Sequence, residues 1–196
     1  MQIIPAHELP FLEPYVPDGV RVLEFGDKRN PDGLYRDWYE SRGCTYTSLD
    51  INGRNGAIKQ DVRLPFDLGQ FDVVTNFGFS EHVSVQAPFW QNAYNATAVN
   101  GLMVGTLPKP HHWPHHGWSY WHPMEEFYRE WADLNGMEIL TLEDCGPGDP
   151  IKRMWGFVMR RLTKAEHVWQ PRLGSRFWKN PNWQIPADDT VYYGAA

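Results

Sequence analysis

Short apolar runs alternate along the chain with amphipathic stretches, and this alternation predicts an α/β protein. Strands are indicated where aliphatic, β-branched or aromatic residues cluster and then end at a glycine, an acid or a turn. The predicted strands cover residues 19–26, 44–51, 56–62, 70–78, 101–108, 137–144 and 151–162.

Three segments between these strands carry apolar residues at helical spacing. The first helix is predicted to begin at Asn30 and Pro31 and to end at Gly43. The second is predicted to begin at Pro88, and the third at Pro123. Strands and helices alternate until two strands follow each other at the end. This order predicts a Rossmann-like three-layer sandwich, with a mostly parallel sheet and an antiparallel terminal strand.

The last part of the chain differs from the rest in composition. Residues 164–196 are rich in Trp, Pro and Asn but poor in aliphatic residues, which predicts an irregular aromatic- and basic-rich arm after an α/β domain of residues 1–163. Residues 1–150 carry 10 Lys/Arg against 21 Asp/Glu, whereas residues 151–196 carry 8 against 3. An acidic body is unlike a general nucleic-acid binder, so we expect the arm to pack on its own domain or in a homodimer.

Length and cysteine content set the class of protein. A chain of 196 residues with 42% hydrophobic residues is enough for one domain with a full core. No apolar run is long enough to cross a membrane, and the start lacks the pattern of a signal peptide. The two cysteines, Cys44 and Cys145, have no redox or metal spacing, which predicts a cytoplasmic protein.

Candidate binding residues stand where the predicted strands end, which is where open α/β sheets bind ligands. Asp50 ends the second strand and is placed to accept the hydroxyl protons of a ribose. Asp61 and Val62 at the third strand could bind adenine through the carboxylate and a backbone N–H. Gly26 after the first strand allows a ligand to approach the backbone closely. Alternatively, the two acids only form turns or cap helices.

These strand-end motifs, in this order, resemble those of class I S-adenosylmethionine-dependent methyltransferases. The resemblance covers residues 19–162 and rests on the segments "VLEFG", "SLDI", "QDVRLPF", "FDVVTNFGFSEHV" and "NGLMVGTLP". It implies S-adenosylmethionine as the cofactor and methyl transfer to an O or N nucleophile of an unidentified acceptor, with a small molecule favoured. The cofactor-binding residues that the resemblance implies are Glu24, Gly26, Asp50, Ile51, Asp61, Val62, Asn76 and Phe77.

Two features depart from the pattern of that family. Lys28 and Asn30 stand where the family has its second and third loop glycines. The gap from Asp50 to Asp61 is too short for a parallel crossover with a helix, so that helix must be missing or reduced to a turn. A trimmed fold of this kind also fits a non-catalytic binding or assembly protein, which is the alternative function.

A cluster of histidines follows the fifth predicted strand. Five of the eight histidines lie within residues 111–122, together with three tryptophans. The segment is interpreted as a lid on the substrate side, with His115 and His116 as candidate general bases. It is alternatively a metal site of a metal-dependent enzyme, although its spacing matches no standard zinc pattern. A third alternative is a proline-stiffened loop that packs on the body.

The segment "SEHV" at residues 80–83 contains a further candidate base, His82. In the family that the sequence resembles, this loop borders the methyl group that is transferred. His82 could therefore orient or deprotonate a substrate. Equally, Ser80, Glu81 and His82 could only satisfy backbone groups before the next helix.

Overall fold

A computed structural model of the chain describes residues 8, 12–26, 29–30, 33–110, 122–145, 153–163 and 177–178. The strands are β1 (Arg21–Phe25), β2 (Arg29–Asn30), β3 (Gly33–Leu34), β4 (Thr45–Asp50), β5 (Ile58–Lys59), β6 (Phe71–Phe77), β7 (Thr97–Pro108), β8 (His122–Pro123), β9 (Met137–Asp144), β10 (Met154–Arg161) and β11 (Phe177–Trp178). The α-helices are α1 (Tyr35–Ser41), α2 (Gln86–Ala96) and α3 (Glu125–Leu134), and single 3-10 turns cover Arg54–Gly56 and Ser80–His82.

Seven strands form one sheet in the order β5-β4-β1-β6-β7-β10-β9. The strands from β5 to β7 pair in parallel, and β10 is antiparallel to both of its neighbours. The chain runs outward from β1 to β5 and then returns to β6 on the other side of β1. The strand order therefore reverses between β1 and β6, and this is the point where open α/β sheets bind ligands. The predicted Rossmann-like sheet with a late antiparallel strand is confirmed.

Apolar side chains cover both faces of the sheet, because neighbouring residues of a strand point to opposite sides. On one face, here called the α2/α3 face, strand residues such as Leu23 and Val74 pack against Trp90 of α2 and Trp131 of α3. On the other, the α1 face, the core cluster contains Leu12, Val16, Val22, Tyr35, Tyr39, Cys44, Val73, Phe77, Val104 and Val158. This is the predicted three-layer arrangement.

Helix α1 begins at Tyr35, so the predicted start at Asn30 and Pro31 is wrong. The backbone of β2 instead pairs with β3, with Asn30 opposite Gly33. The sequence at residues 30–33 is Asn-Pro-Asp-Gly. These four residue types are also favoured at successive positions of a type I turn, so the sequence suits a strand pairing as well as a helix start.

The connection between β4 and β5 contains only the turn Arg54–Gly56, which confirms the predicted loss of a crossover helix. Gly53 and Asn55 adopt left-handed backbone angles in this turn, with φ of +64° and +53°. The third predicted strand is shorter than expected, because β5 contains only Ile58–Lys59. Helix α2 begins at Gln86, two residues before the predicted Pro88, and β7 follows it directly from Thr97.

The end of the chain is not wholly irregular. Strand β11 pairs with β8, with Phe177 opposite Pro123 and Trp178 opposite His122. The remaining residues of the predicted arm lie outside the described residues, so the predicted boundary after residue 163 stays a prediction. Within the described ranges, no helix is long and apolar enough to cross a membrane.

A buried arginine joins the end of β10 to the end of α2. Arg161 is only 2% exposed, and its Nη1 donates hydrogen bonds to the carbonyl oxygens of Tyr94 and Thr97. Its Nε donates to the carbonyl oxygen of Thr163 at 2.9 Å, and its guanidinium lies 4.1 Å from the centre of the Tyr94 ring. The last carbonyl groups of a helix lack partners in the next helical turn, and Arg161 brings a charged donor to this end of α2.

We expect Arg161→Met to lower the free energy of unfolding by about 3 kcal/mol, because three hydrogen bonds from a charged donor are lost, two of them buried. Urea unfolding followed by circular dichroism measures the loss. Arg160→Met is the matched control, since the Arg160 side chain is 42% exposed and its ion pair with Glu138, at 3.0 Å, lies at the surface. That control should lose less than about 1 kcal/mol. Equal losses in the two variants would contradict this account.

Candidate functional site

The parallel strands end along one edge of the sheet, and most of the predicted binding residues lie there. Gly26 directly follows β1, and Asp50 is the last residue of β4. The N–H of Gln60 donates to the Asp50 carbonyl oxygen at 3.0 Å, which brings Asp61 next to the end of β4. Phe77 is the last residue of β6. The structure therefore brings the ends of four strands together at the reversal point.

Gly26 lies in a position that only glycine fits. Its φ is +81°, in the left-handed region, and its N–H donates to the carbonyl oxygen of Leu49 at 2.8 Å. A Cβ atom at this position would lie 2.8 Å from Cδ2 of Phe79. The Phe79 ring stacks on Phe25 with ring centres 6.1 Å apart. The first loop glycine thus has a structural reason, although the hairpin of β2 and β3 follows it.

Asp50 forms a turn and also presents its side chain at the sheet edge. Its Oδ1 accepts the N–H of Asn52 at 2.9 Å, and its carbonyl oxygen accepts the N–H of Gly53 at 3.3 Å. This is the side-chain turn that the alternative interpretation of the acids proposed. Asp50 and the next residue, Ile51, are both half-buried, so turn formation does not remove either from the edge.

Asp61 forms an ion pair that the sequence analysis missed. Arg63 donates from Nε to Oδ1 at 3.0 Å and from Nη2 to Oδ2 at 2.9 Å, and its backbone N–H also donates to Oδ1. Nη1 of Arg63 donates to Oγ of Ser84 at 3.0 Å. Val62 between them is buried, and its carbonyl oxygen accepts Nδ2 of Asn92. No acceptor for the Val62 N–H is found in the described part of the chain.

The turn after β6 is fixed by buried amide side chains. Asn76 is 3% exposed, its Nδ2 donates to Oγ of Ser80 at 2.8 Å, and its Oδ1 accepts the Ser80 N–H at 3.0 Å. Nε2 of Gln86 donates to the carbonyl oxygens of Ser80 and Val83. The Asn76 side chain is therefore used to shape the turn. Its spacing of four residues from Ser80 was a signal in the sequence for this role.

The same turn contains Glu81 and His82, and the Glu81 charge acts on Tyr128 of helix α3. The Glu81 side chain is 8% exposed and that of His82 is 28% exposed, with 3.7 Å between Oε1 and Nε2. Tyr128 of α3 is fully buried, and its hydroxyl has no hydrogen-bond partner among the residues that the structure describes. Burial, followed by the charges of Glu81 and Cys145, raises the pKa of Tyr128 well above its ordinary value. The sequence analysis missed Tyr128, since it stands beside the apolar stripe of the helix.

Two predicted cofactor residues point to the α1 face of the sheet. Glu24 is 1% exposed, and its charge, after burial, is the main cause that raises the pKa of Tyr39. The Phe77 ring packs edge-on against Tyr35 with ring centres 6.1 Å apart. Tyr35 also donates a hydrogen bond to Glu8, which comes from the start of the chain. The sheet therefore separates the Glu24 and Phe77 side chains from Asn76.

The histidine segment is only partly covered by the structure. His115 and His116 lie outside the described residues, whereas His122 is fully buried in β8. Within the described ranges, no group of three or more His, Cys, Asp or Glu residues could hold a metal ion. Burial, with smaller effects of nearby acids, raises the pKa of the Cys145 thiol to about 12, so this thiol is a poor nucleophile near neutral pH.

No protein-family model matches the sequence, and no curated protein matches it. Solved structures do match. An S-adenosylmethionine-dependent methyltransferase from Mesorhizobium loti has a TM-score of 0.64 and 16% identity, covering 80% of this chain and 98% of that chain. A putative enzyme of the same kind from Listeria monocytogenes has a TM-score of 0.62 and 14% identity, with coverage of 80% and 98%.

A third similar structure contains ligands. It is the 1,6-didemethyltoxoflavin-N1-methyltransferase of Burkholderia thailandensis with bound 1,6-didemethyltoxoflavin and S-adenosylhomocysteine. Its TM-score is 0.61 at 11% identity, and the match covers 81% of this chain and 79% of that chain. Identities this low show a shared fold. The chain therefore has the class I methyltransferase fold that its strand-end motifs predict.

We expect Gly26→Ala to destabilise the protein more than Gly19→Ala, which is a matched control. Both glycines have a left-handed backbone, with φ of +81° and +76°, but nothing lies within 4 Å of a Cβ at Gly19. The contact with Phe79 should therefore add about 1 to 3 kcal/mol to the loss at Gly26. Urea unfolding of both variants gives the difference, and equal losses would show that Phe79 moves away freely.

Proposed function

We propose that the protein is an S-adenosylmethionine-dependent methyltransferase that acts on an O or N nucleophile of a small molecule. The observation that carries this proposal is the reversal of strand order between β1 and β6, with Gly26 and Asp50 at the adjoining strand ends. The Burkholderia enzyme binds S-adenosylhomocysteine on the same fold, which supports the choice of cofactor.

The residues at this edge fit an adenosyl group. Asp50 would accept the two ribose hydroxyls, and the half-buried Ile51 beside it would supply an apolar wall for the base. The N–H of Val62, which has no acceptor in the described part of the chain, would donate to a ring nitrogen. Asp61 would accept the adenine amino group only by sharing its carboxylate with Arg63.

The methionine end of the cofactor would lie at the carboxyl ends of strands β1 and β6. Gly26 has no side chain and would let the cofactor approach the backbone closely, on the side away from the Phe79 ring. Glu24, Asn76 and Phe77 have side chains committed to buried contacts on the two faces. Their contribution to binding would come through the shape of the strand ends that they stabilise.

The chain's own task in the reaction is to position the acceptor and to remove a proton. When bound, S-adenosylmethionine supplies an electrophilic methyl group on a sulfonium. His82 would take the proton from the attacking atom, and Glu81 at 3.7 Å would stabilise the resulting imidazolium. His115 and His116 are the other candidate bases from the sequence.

A non-catalytic binding or assembly protein is the second candidate function. The observation that favours it is the β2–β3 hairpin, which occupies the place of the family's glycine-rich loop. The ion pair of Asp61 with Arg63 also favours a non-catalytic function, because Arg63 competes with adenine for the Asp61 carboxylate. For either function, we propose a cytoplasmic location and a homodimer.

Calorimetric titration with S-adenosylhomocysteine tests the proposed function. We expect saturable binding, and we expect Asp50→Asn to weaken it on the order of tenfold to a hundredfold, as for the loss of a hydrogen bond to a charged group. Asp133→Asn is the control, because Asp133 is exposed near the end of α3 and far from the strand ends. It should leave the affinity unchanged.

Absence of binding by the folded protein at millimolar ligand would contradict the enzyme and favour the non-catalytic function. Binding that is equally strong in the Asp50 and Asp133 variants would place the cofactor elsewhere on the molecule.

A further inference from the structure

We propose that Asn92 of α2 is a positioning residue that makes the cofactor site selective for a 6-aminopurine base. It acts through the turn of residues 61–64, here called the base turn, which contains both candidate contacts to the base: the Asp61 carboxylate and the Val62 N–H. The proposal deepens the proposed function and rests on it, because it concerns how the same site distinguishes between cofactors.

Within the described residues, the base turn lies beyond the pairing of the sheet. The last hydrogen bond between this segment and β4 runs from the Gln60 N–H to the Asp50 carbonyl oxygen at 3.0 Å. Residues 61–64 follow as a β-turn, which the Leu64 N–H closes by donating to the Asp61 carbonyl oxygen at 3.0 Å. The crossover helix before this segment is reduced to a single turn. The base turn therefore takes its support from another part of the fold.

Asn92 supplies that support from the middle of α2. The residue is 8% exposed, and its Nδ2 donates to the carbonyl oxygens of Val62 and Leu64, both at 2.9 Å. A side-chain amide has two N–H bonds, so each carbonyl oxygen receives one of them. The two acceptors lie two residues apart in the base turn. A single side chain thus fixes both the position and the direction of the backbone that carries the Val62 N–H.

Helix α2 is a rigid support because the side chains next to Asn92 lie in the core. Phe89 and Trp90 are fully buried on the α2/α3 face, and Ala93 is 1% exposed. Nε1 of Trp90 also donates to Oε1 of Gln86 at 3.2 Å. A shift of Asn92 would disturb these close-packed side chains. The base turn therefore takes its position from the core.

The Asp61 side chain is fixed to the same part of the fold. Arg63 donates to both carboxylate oxygens of Asp61, and its Nη1 donates to Oγ of Ser84 at 3.0 Å, two residues before α2 begins. A binding group that is held in one direction before its ligand arrives costs less conformational entropy on binding. Asn92 holds the backbone of the base turn and Arg63 holds the carboxylate, so both contacts to the base are preorganised.

Selectivity follows from the pattern of donors and acceptors. Adenine has an amino donor and, beside it, a ring-nitrogen acceptor, which match a carboxylate and an N–H. Hypoxanthine has a carbonyl oxygen and a ring N–H at these two positions, so it would pair acceptor with acceptor and donor with donor. A site that is built to hydrogen-bond one group rejects an analogue that leaves its polar groups unpaired. The rejection requires a turn that stays in place, since a mobile turn would move away from the mismatch.

Calorimetric titration of the full-length protein compares S-adenosylhomocysteine with S-inosylhomocysteine, which differs from it only in the base. We expect the adenosyl compound to bind at least about tenfold more tightly, as for a hydrogen bond to a charged group. Asn92→Leu, which removes both donors from a side chain of similar shape, should weaken its binding and abolish this preference. Asn92→Ala should do the same, and it tests the proposal if the leucine variant does not fold.

Hydrogen exchange followed by mass spectrometry gives a second measurement, made without ligand. Exchange across residues 61–64 should be faster in Asn92→Leu or Asn92→Ala than in the unaltered protein, because the base turn loses two hydrogen bonds to α2.

Two further variants separate positioning from a general loss of stability. Asp50→Asn should weaken both ligands by the same factor and keep the preference, because the ribose is common to both. Asn95→Leu, an exposed position three residues further along α2, should change neither the affinities nor the preference. A purely structural Asn92 would lower thermal stability and weaken both ligands equally, because unfolding removes binding sites without regard to the base.

Equal weakening of the two ligands in the Asn92 variants would overturn the proposal, and so would unchanged hydrogen exchange in the base turn. Equal affinity of the unaltered protein for the two ligands would overturn it as well, because there would be no selectivity to explain. Failure of the folded protein to bind either ligand is a different result: it rejects the proposed function, and the role of Asn92 falls with it.

Discussion

The parallel pairing of β6 with β1 is the constraint on which the rest of the structure depends. It runs from Val22 opposite Val73 to Glu24 opposite Thr75. This pairing returns the chain to the centre of the sheet after β5, so that the ends of β1, β4 and β6 adjoin. It also sets which side chains of β6 face α2 and α3, and thereby aims the turn that carries Glu81 and His82. Without the pairing of β6 with β1, the residues at the strand ends would not lie together at one edge of the sheet.

The sequence predicted the sheet well because buried strands leave a strong local signal. Apolar runs ending in glycine or an acid located β1, β4 and β6, and the short gap from Asp50 to Asp61 correctly implied a missing helix. The sequence predicted the wrong start for α1 because residues 30–33 suit both a helix start and a turn. The pairing of β2 with β3 shows that the helix does not start there. Local preference alone could not rank the two.

The positions of the candidate cofactor residues at the strand ends could be predicted from the sequence, whereas their side-chain partners could not. Asp50 ends a strand, so its position at the edge follows from topology. The partner of Asp61 is Arg63, two residues away, and proximity in sequence does not reveal whether such a pair forms. Tyr128 is affected by the Glu81 charge because α3, from a distant part of the chain, packs on the same face of the sheet. Contacts of this kind depend on the packing of whole elements, which no spacing rule reports.

Two buried polar groups of the protein, Arg161 and Tyr128, differ in whether the fold supplies their hydrogen-bond partners. Arg161 is buried and donates hydrogen bonds to carbonyl oxygens of α2 and of Thr163. Its guanidinium therefore stabilises the packing of β10 against the end of α2. Tyr128 is equally buried, yet its hydroxyl has no partner in the described part of the chain. The first arrangement lowers the energy of the folded chain, whereas the second raises it unless another molecule supplies the hydrogen bond. The Tyr39 hydroxyl and Nε1 of Trp131 are in the same state among the described residues, so a buried group without a partner does not by itself mark a binding site in this protein.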